Sequence, residues 1–130
     1  MKSLNQLRDE IHANAKEKGF CDSKKEVGTM LMLIVSELAE ALEADRTGDF
    51  CDFSKYEKCK KEMDVGIRTS EEIEKYAFER YIKNTFEDEL ADVIIRTLSV
   101  CGYLGIDIER YVLAKMKYNK TREKMHSKKY

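Results

Sequence analysis

The sequence predicts an all-α, four-helix-bundle-like fold, and three observations carry that expectation. Charged residues make up 38% of the chain and proline is absent, which suits helices with solvated outer faces. Apolar residues recur at helical spacing in several long segments. The remaining joins carry the cap and stop residues of helices rather than the turn pairs of hairpins.

A first helix is expected over residues 2–18, with Leu4, Leu7, Ile11 and Ala15 on one face and Gly19 as its stop. Ser23 with Glu26 forms the pattern of a capping box for a second helix. Its apolar stripe is Val27, Met30, Leu31, Ile34, Leu38 and Ala41, and TGD after Arg46 breaks it. Residues 47–68 are polar and weakly periodic, and they predict a long connection with room for a short helical turn. Thr69 with Glu72 is a second capping box, followed by Ile73, Tyr76, Ala77, Arg80 and Tyr81. Thr85 with Asp88 can recap near Asn84, so this stretch is either one long helix or two in series. Phe86 to Leu104 is strongly apolar, with Gly105 as a stop, and Asp107 caps a last helix over about 108–124.

A length of 130 residues and the lack of repeats or linkers predict a single domain. The formal net charge of −1 gives neither the basic footprint of a nucleic-acid binder nor strong steering. MLMLIV, at 30–35, is far short of a membrane span, so no membrane role is expected. No signal-peptide pattern opens the chain, and the four cysteines include no CxxC pair, which predicts a cytoplasmic protein with reduced thiols. The spacings of Cys21, Cys51 and Cys59 fit no zinc pattern.

Two acidic pairs interrupt this plan. In SELAEALEAD, Glu37 falls inside the apolar sector of its helix and Glu40 at the edge. Glu89 and Asp92 repeat the three-residue spacing, about 60° apart on one helical face, and Arg96 and Ser99 continue that strip. Either the pairs are solvated faces, or they meet across a packed helix pair, where repulsion and desolvation would raise their pKa values unless a cation sat between them. Clustered carboxylates with almost no histidine favour magnesium over zinc or di-iron. Lys115, Asn119 and Arg122 share one side of the last helix and form a strip suited either to phosphate oxygens or to water.

SELAEALEA, EDELADVIIRTL and CGYLGIDIERYVLAKMKYNKTR together resemble the MazG-like, all-α nucleoside triphosphate pyrophosphohydrolases, a superfamily that includes dCTP pyrophosphatases and dimeric dUTPases. The resemblance covers roughly residues 8–50 and 84–130. It implies a MazG-type bundle with an extra helical insertion, within about 44–84, between the two metal motifs. It implies hydrolysis of a (d)NTP to the (d)NMP and pyrophosphate, with Mg2+, or Mn2+ as a substitute, held by Glu37, Glu40, Glu89 and Asp92 as the catalytic centre. Lys115 and Asn119 match the family's phosphate-binding positions, with Arg122 and Tyr118 as neighbours, and His12 and Phe20 match the region that holds the base. Cys21 departs from the tryptophan that many relatives carry after Gly-Phe. The resemblance further implies a homodimer or tetramer. The alternative from another class is a non-catalytic helical protein that binds nucleotide or a partner without turnover.

Overall fold

The computed structural model describes residues 1–19 and 23–122, and among these it is all-helical: α1 (Leu4–Glu17), α2 (Val27–Thr47), α3 (Phe53–Met63), α4 (Ser70–Tyr81), α5 (Phe86–Leu104) and α6 (Ile108–Thr121). Phe20 and Cys21 lie outside the described residues. None of these helices is long and apolar enough to cross a membrane. The chain divides into two compact units, one from the described residues of Met1–Lys24 and Leu98–Tyr130, the other from Lys25–Thr97.

In the first unit α1 packs against α6. Ser3 and Gln6 form a reciprocal capping box at the start of α1, a signal present in the sequence as SLNQ. The two helices are joined by Asn5, whose amide donates to Asp107 Oδ1 at 2.7 Å. Arg8 reaches the Ile106 carbonyl at 2.6 Å. His12 lies against α5 at Gly102, where an added Cβ would fall 2.9 Å from the His12 Cβ, so this approach requires glycine. α6 ends at Thr121, short of the expected 124. Thr121 Oγ1 donates to the Tyr118 carbonyl at 2.7 Å and the Arg122 N–H to the Asn119 carbonyl, which closes the last turn.

The second unit holds all of α2, α3 and α4, and α5 as far as Thr97. α2 begins at Val27 rather than after Ser23. Glu26 is its N-cap residue, in extended backbone and without a side-chain cap bond, so the Ser23–Glu26 box does not form. At the other end Gly48 takes the left-handed conformation at φ 76°, the stop expected from TGD. The connection expected over 47–68 contains a full helix. Asp52 caps α3 by accepting the Lys55 N–H, and its narrow apolar stripe runs through the buried Tyr56. α3 packs against α4, where Ile73 and Ala77 are buried. Lys60 ties the pair from its outer side, 2.9 Å from Glu74 and 4.7 Å above the Tyr56 ring.

The Thr69–Glu72 capping box is formed. The stretch after it is two helices in series: Asn84 turns the chain at φ 65°, and Thr85 Oγ1 accepts the Asp88 N–H. The loop after α2 is pinned to the start of α5. The Phe86 N–H reaches the Asp49 carbonyl, Glu87 accepts the Cys51 N–H, and Phe50 meets Phe86 edge to face. On α2 the buried residues are Met30, Glu37, Ala41 and Ala44. Leu31, Val35, Leu38 and Leu42, one turn apart on a different face, remain about half exposed.

A candidate metal centre

The buried face of α2 carries Glu37 at its middle, and the α5 face opposite carries Glu89 and Asp92. Glu37 is only 6% exposed and Glu89 5%, with Asp92 half-buried. One carboxylate oxygen from each of the three lies within 4.8 Å of the others. Ala41 and Ala44, both buried, continue the same face of α2 beyond Glu37.

Burial and like charge act together here. The Glu89 carboxyl is pushed up from 4.5 to about 7, first by desolvation and then by the charges of Glu40 and Asp88, with a hydrogen bond to Glu37 assisting. Asp92 is raised as well, by burial and by Asp88 and Glu37, against a lowering pull from Arg96. Arg96 stands one turn beyond Asp92 and donates from Nε to Glu37 Oε1 at 2.5 Å. The sequence shows Arg96 continuing the polar strip of α5, but nothing in it identifies Glu37 as the partner.

The donor set fits a hard divalent cation: three carboxylates, no histidine or cysteine, and two of them raised by burial and by the charge of neighbouring carboxylates. Glu40, expected as a fourth ligand, is exposed and stands outside this three-residue group. It lines the same cavity, of about 870 Å3, together with Glu37, Glu89 and Asp92. The structure thus brings three of the four expected carboxylates together and places the fourth on the wall in front of them.

The other expected residues belong to the first unit. Lys115, Tyr118 and Asn119 are exposed on α6, with Lys115 Nζ 5.0 Å over the Tyr118 ring. Arg122 is the C-cap of α6 rather than a member of its helical face. His12 is partly buried in its packing against Gly102. The free thiols among the described residues, Cys51, Cys59 and Cys101, take no part in the acidic cluster.

No family model, no curated protein and no solved structure matches the chain.

Proposed function

We propose that the chain is a magnesium-dependent nucleoside triphosphate pyrophosphohydrolase of the MazG-like all-α kind, converting a (d)NTP to the (d)NMP and pyrophosphate. The observation that carries this reading is the convergence of Glu37, Glu89 and Asp92 from two helices at the base of a cavity large enough for a small molecule. A surface helix can carry acidic pairs at no cost, whereas a buried carboxylate held near pH 7 is unfavourable and calls for a function.

Glu37, Glu89 and Asp92 would hold the cation, and manganese would substitute for magnesium because both accept oxygen ligands. Bound there, the cation supplies neutralisation of phosphate charge and a lowered pKa for water. Glu40 is the exposed carboxylate of the cavity and is proposed to take the proton of the attacking water. The water oxygen joins one phosphoryl group, the α–β anhydride bond breaks, and its electron pair leaves with the other. Lys115 and Asn119 are proposed, from the resemblance, to hold phosphate oxygens, with Tyr118 and Arg122 beside them in sequence. The half-exposed stripe Leu31, Val35, Leu38 and Leu42 supports assembly as a homodimer or tetramer.

One observation favours a non-catalytic helical protein instead: Glu37 has an ion-pair partner within the chain, Arg96. Pyrophosphate release from a panel of nucleoside and deoxynucleoside triphosphates, with magnesium and with chelator, separates the two. Magnesium-dependent release from at least one substrate, by a preparation that light scattering shows larger than a monomer, is expected. Lys115→Gln is expected to raise KM for that substrate. No release from any triphosphate favours the non-catalytic reading.

A further inference from the structure

The cavity in front of the acidic cluster has a second wall, built by α4. Glu71, Glu74, Lys75, Phe78 and Glu79 repeat at helical spacing along it, and Lys83 follows at the turn into α5. At about 870 Å3 the cavity is far larger than a cation and its waters require, and it falls within the roughly 300–1,000 Å3 of small-molecule sites. All of its lining residues lie within Lys25–Thr97, so this wall and the acidic cluster belong to one unit.

The chemistry of the wall is uneven. Eight of the twelve lining residues are carboxylates, and the two cationic ones are Lys75 and Lys83. Glu74 has its own partner, Lys60, at 2.9 Å. Among the described residues neither the Lys75 nor the Lys83 ammonium group forms an ion pair or a hydrogen bond, although acidic side chains share their wall. Phe78 is the one aromatic residue lining the cavity; it is 37% exposed, and it meets no other ring among the described residues. The turn carrying Lys83 is fixed by the Asn84 N–H, which Asp88 Oδ2 accepts at 2.8 Å, with Asn84 itself in left-handed backbone. A cavity meant only for a cation has no use for two uncommitted ammonium groups, which repel it. A bare anion is repelled by the carboxylates. An anion that arrives complexed to the cation satisfies both groups, and the exposed ring gives an aromatic moiety on that anion a surface to pack on.

We propose that α4 is the ligand-recognition wall of this cavity, with Lys75 and Lys83 holding the oxygens of a cation-complexed polyphosphate and Phe78 packing against an aromatic base attached to it. The proposal rests on the cation-holding role of Glu37, Glu89 and Asp92, and it makes the helical insertion between the two acidic motifs a part of substrate binding. Lysine acts here as a mobile point charge, so the wall selects for phosphate charge and for the presence of a base rather than for one hydrogen-bonding edge.

Calorimetric titration of the full chain with three probes tests it: manganese alone, magnesium tripolyphosphate, and magnesium with a non-hydrolysable α,β-imido deoxynucleoside triphosphate. In the Lys75→Gln, Lys83→Gln variant both polyphosphate probes are expected to bind at least tenfold more weakly while manganese affinity stays unchanged. In Phe78→Leu the nucleotide is expected to weaken about fivefold and tripolyphosphate to bind as before. All three positions are solvent-exposed, and circular dichroism confirms that the variants fold. Unchanged nucleotide affinity in both variants, or no nucleotide binding by the unaltered chain, overturns the proposal. If the unaltered chain fails to bind manganese, or binds it equally well after Glu89→Gln and Asp92→Asn, the cation assignment itself is wrong and the proposal falls with it.

Discussion

The Glu89→Gln, Asp92→Asn variant is expected to lose magnesium-dependent pyrophosphate release, by roughly 10^3-fold or more in kcat/KM, and yet to melt at a higher temperature than the unaltered chain in chelator at pH 8. The loss follows from removing two of the three carboxylates that meet at the base of the cavity. The gain follows from the same geometry. Without a cation, Glu89 and Asp92 are desolvated beside Glu37, Glu40 and Asp88, and the amides keep the shape while discarding the repulsion. Arg96 still has Glu37 as its partner, so the substitutions leave that cation paired. A variant that is merely misfolded would lose activity and stability together, and only a functional cluster held at the expense of the fold moves them in opposite directions. Activity assays and melting curves on one preparation read both. Retained activity contradicts the site assignment, and a lower melting temperature contradicts the electrostatic account of it.

The stability of the metal-free protein is expected to fall as pH rises from about 4.5 to about 7 and to level off above that. Glu89 has its folded value raised to about 7 from 4.5, and Asp92 is raised in the same direction. Between the two values the folded state binds more protons than the unfolded chain, so raising the pH favours unfolding. The contribution is therefore fully present below the unfolded value and is lost as pH passes the folded one. At about 1.4 kcal/mol per unit, the rise of the Glu89 value from 4.5 to about 7 corresponds to roughly 3.5 kcal/mol across this window. Magnesium takes the place of the protons, so its effect on the melting temperature should be small at pH 5 and large at pH 8, with proton release on binding near pH 6.5. Calorimetric melts from pH 5 to 8.5, with chelator and with magnesium, measure both trends. A metal-free melting temperature that stays flat or rises across the window would contradict the burial of these carboxylates.

Local signals marked most of the helical frame. The Thr69–Glu72 box, the stop at Gly48 and the cap at Asp107 are short-range features whose chemistry is complete within four residues, and each operates as expected. Ser23 and Glu26 have the same lettering as a capping box. The backbone at Glu26 stays extended, however, and the helix starts one residue later. α3 was hidden because its single buried aromatic, Tyr56, gives a stripe too narrow to stand out among lysines and glutamates. Its helicity depends on packing against α4, which no local pattern records.

The site was legible where it interrupted a pattern and hidden where it depended on tertiary pairing. Glu37 stands out as a carboxylate in an apolar sector, and it proves buried. That sector is broader than one interface. The fold buries the side with Met30 and Ala41 and leaves Leu31 and Leu38 half exposed, a choice that helical periodicity alone does not make. The Arg96–Glu37 pair joins residues far apart in sequence, and the α4 wall comes from a segment whose carboxylates and lysines read as an ordinary solvated face.

Crystals of the full chain soaked in manganese and measured at the metal's absorption edge test the central claim most directly. The account predicts an anomalous peak in direct contact with carboxylate oxygens of Glu37, Glu89 and Asp92, with the Arg96 guanidinium displaced from Glu37 Oε1. No peak among these three residues, with the Arg96–Glu37 pair intact at a manganese concentration that saturates activity, would contradict it.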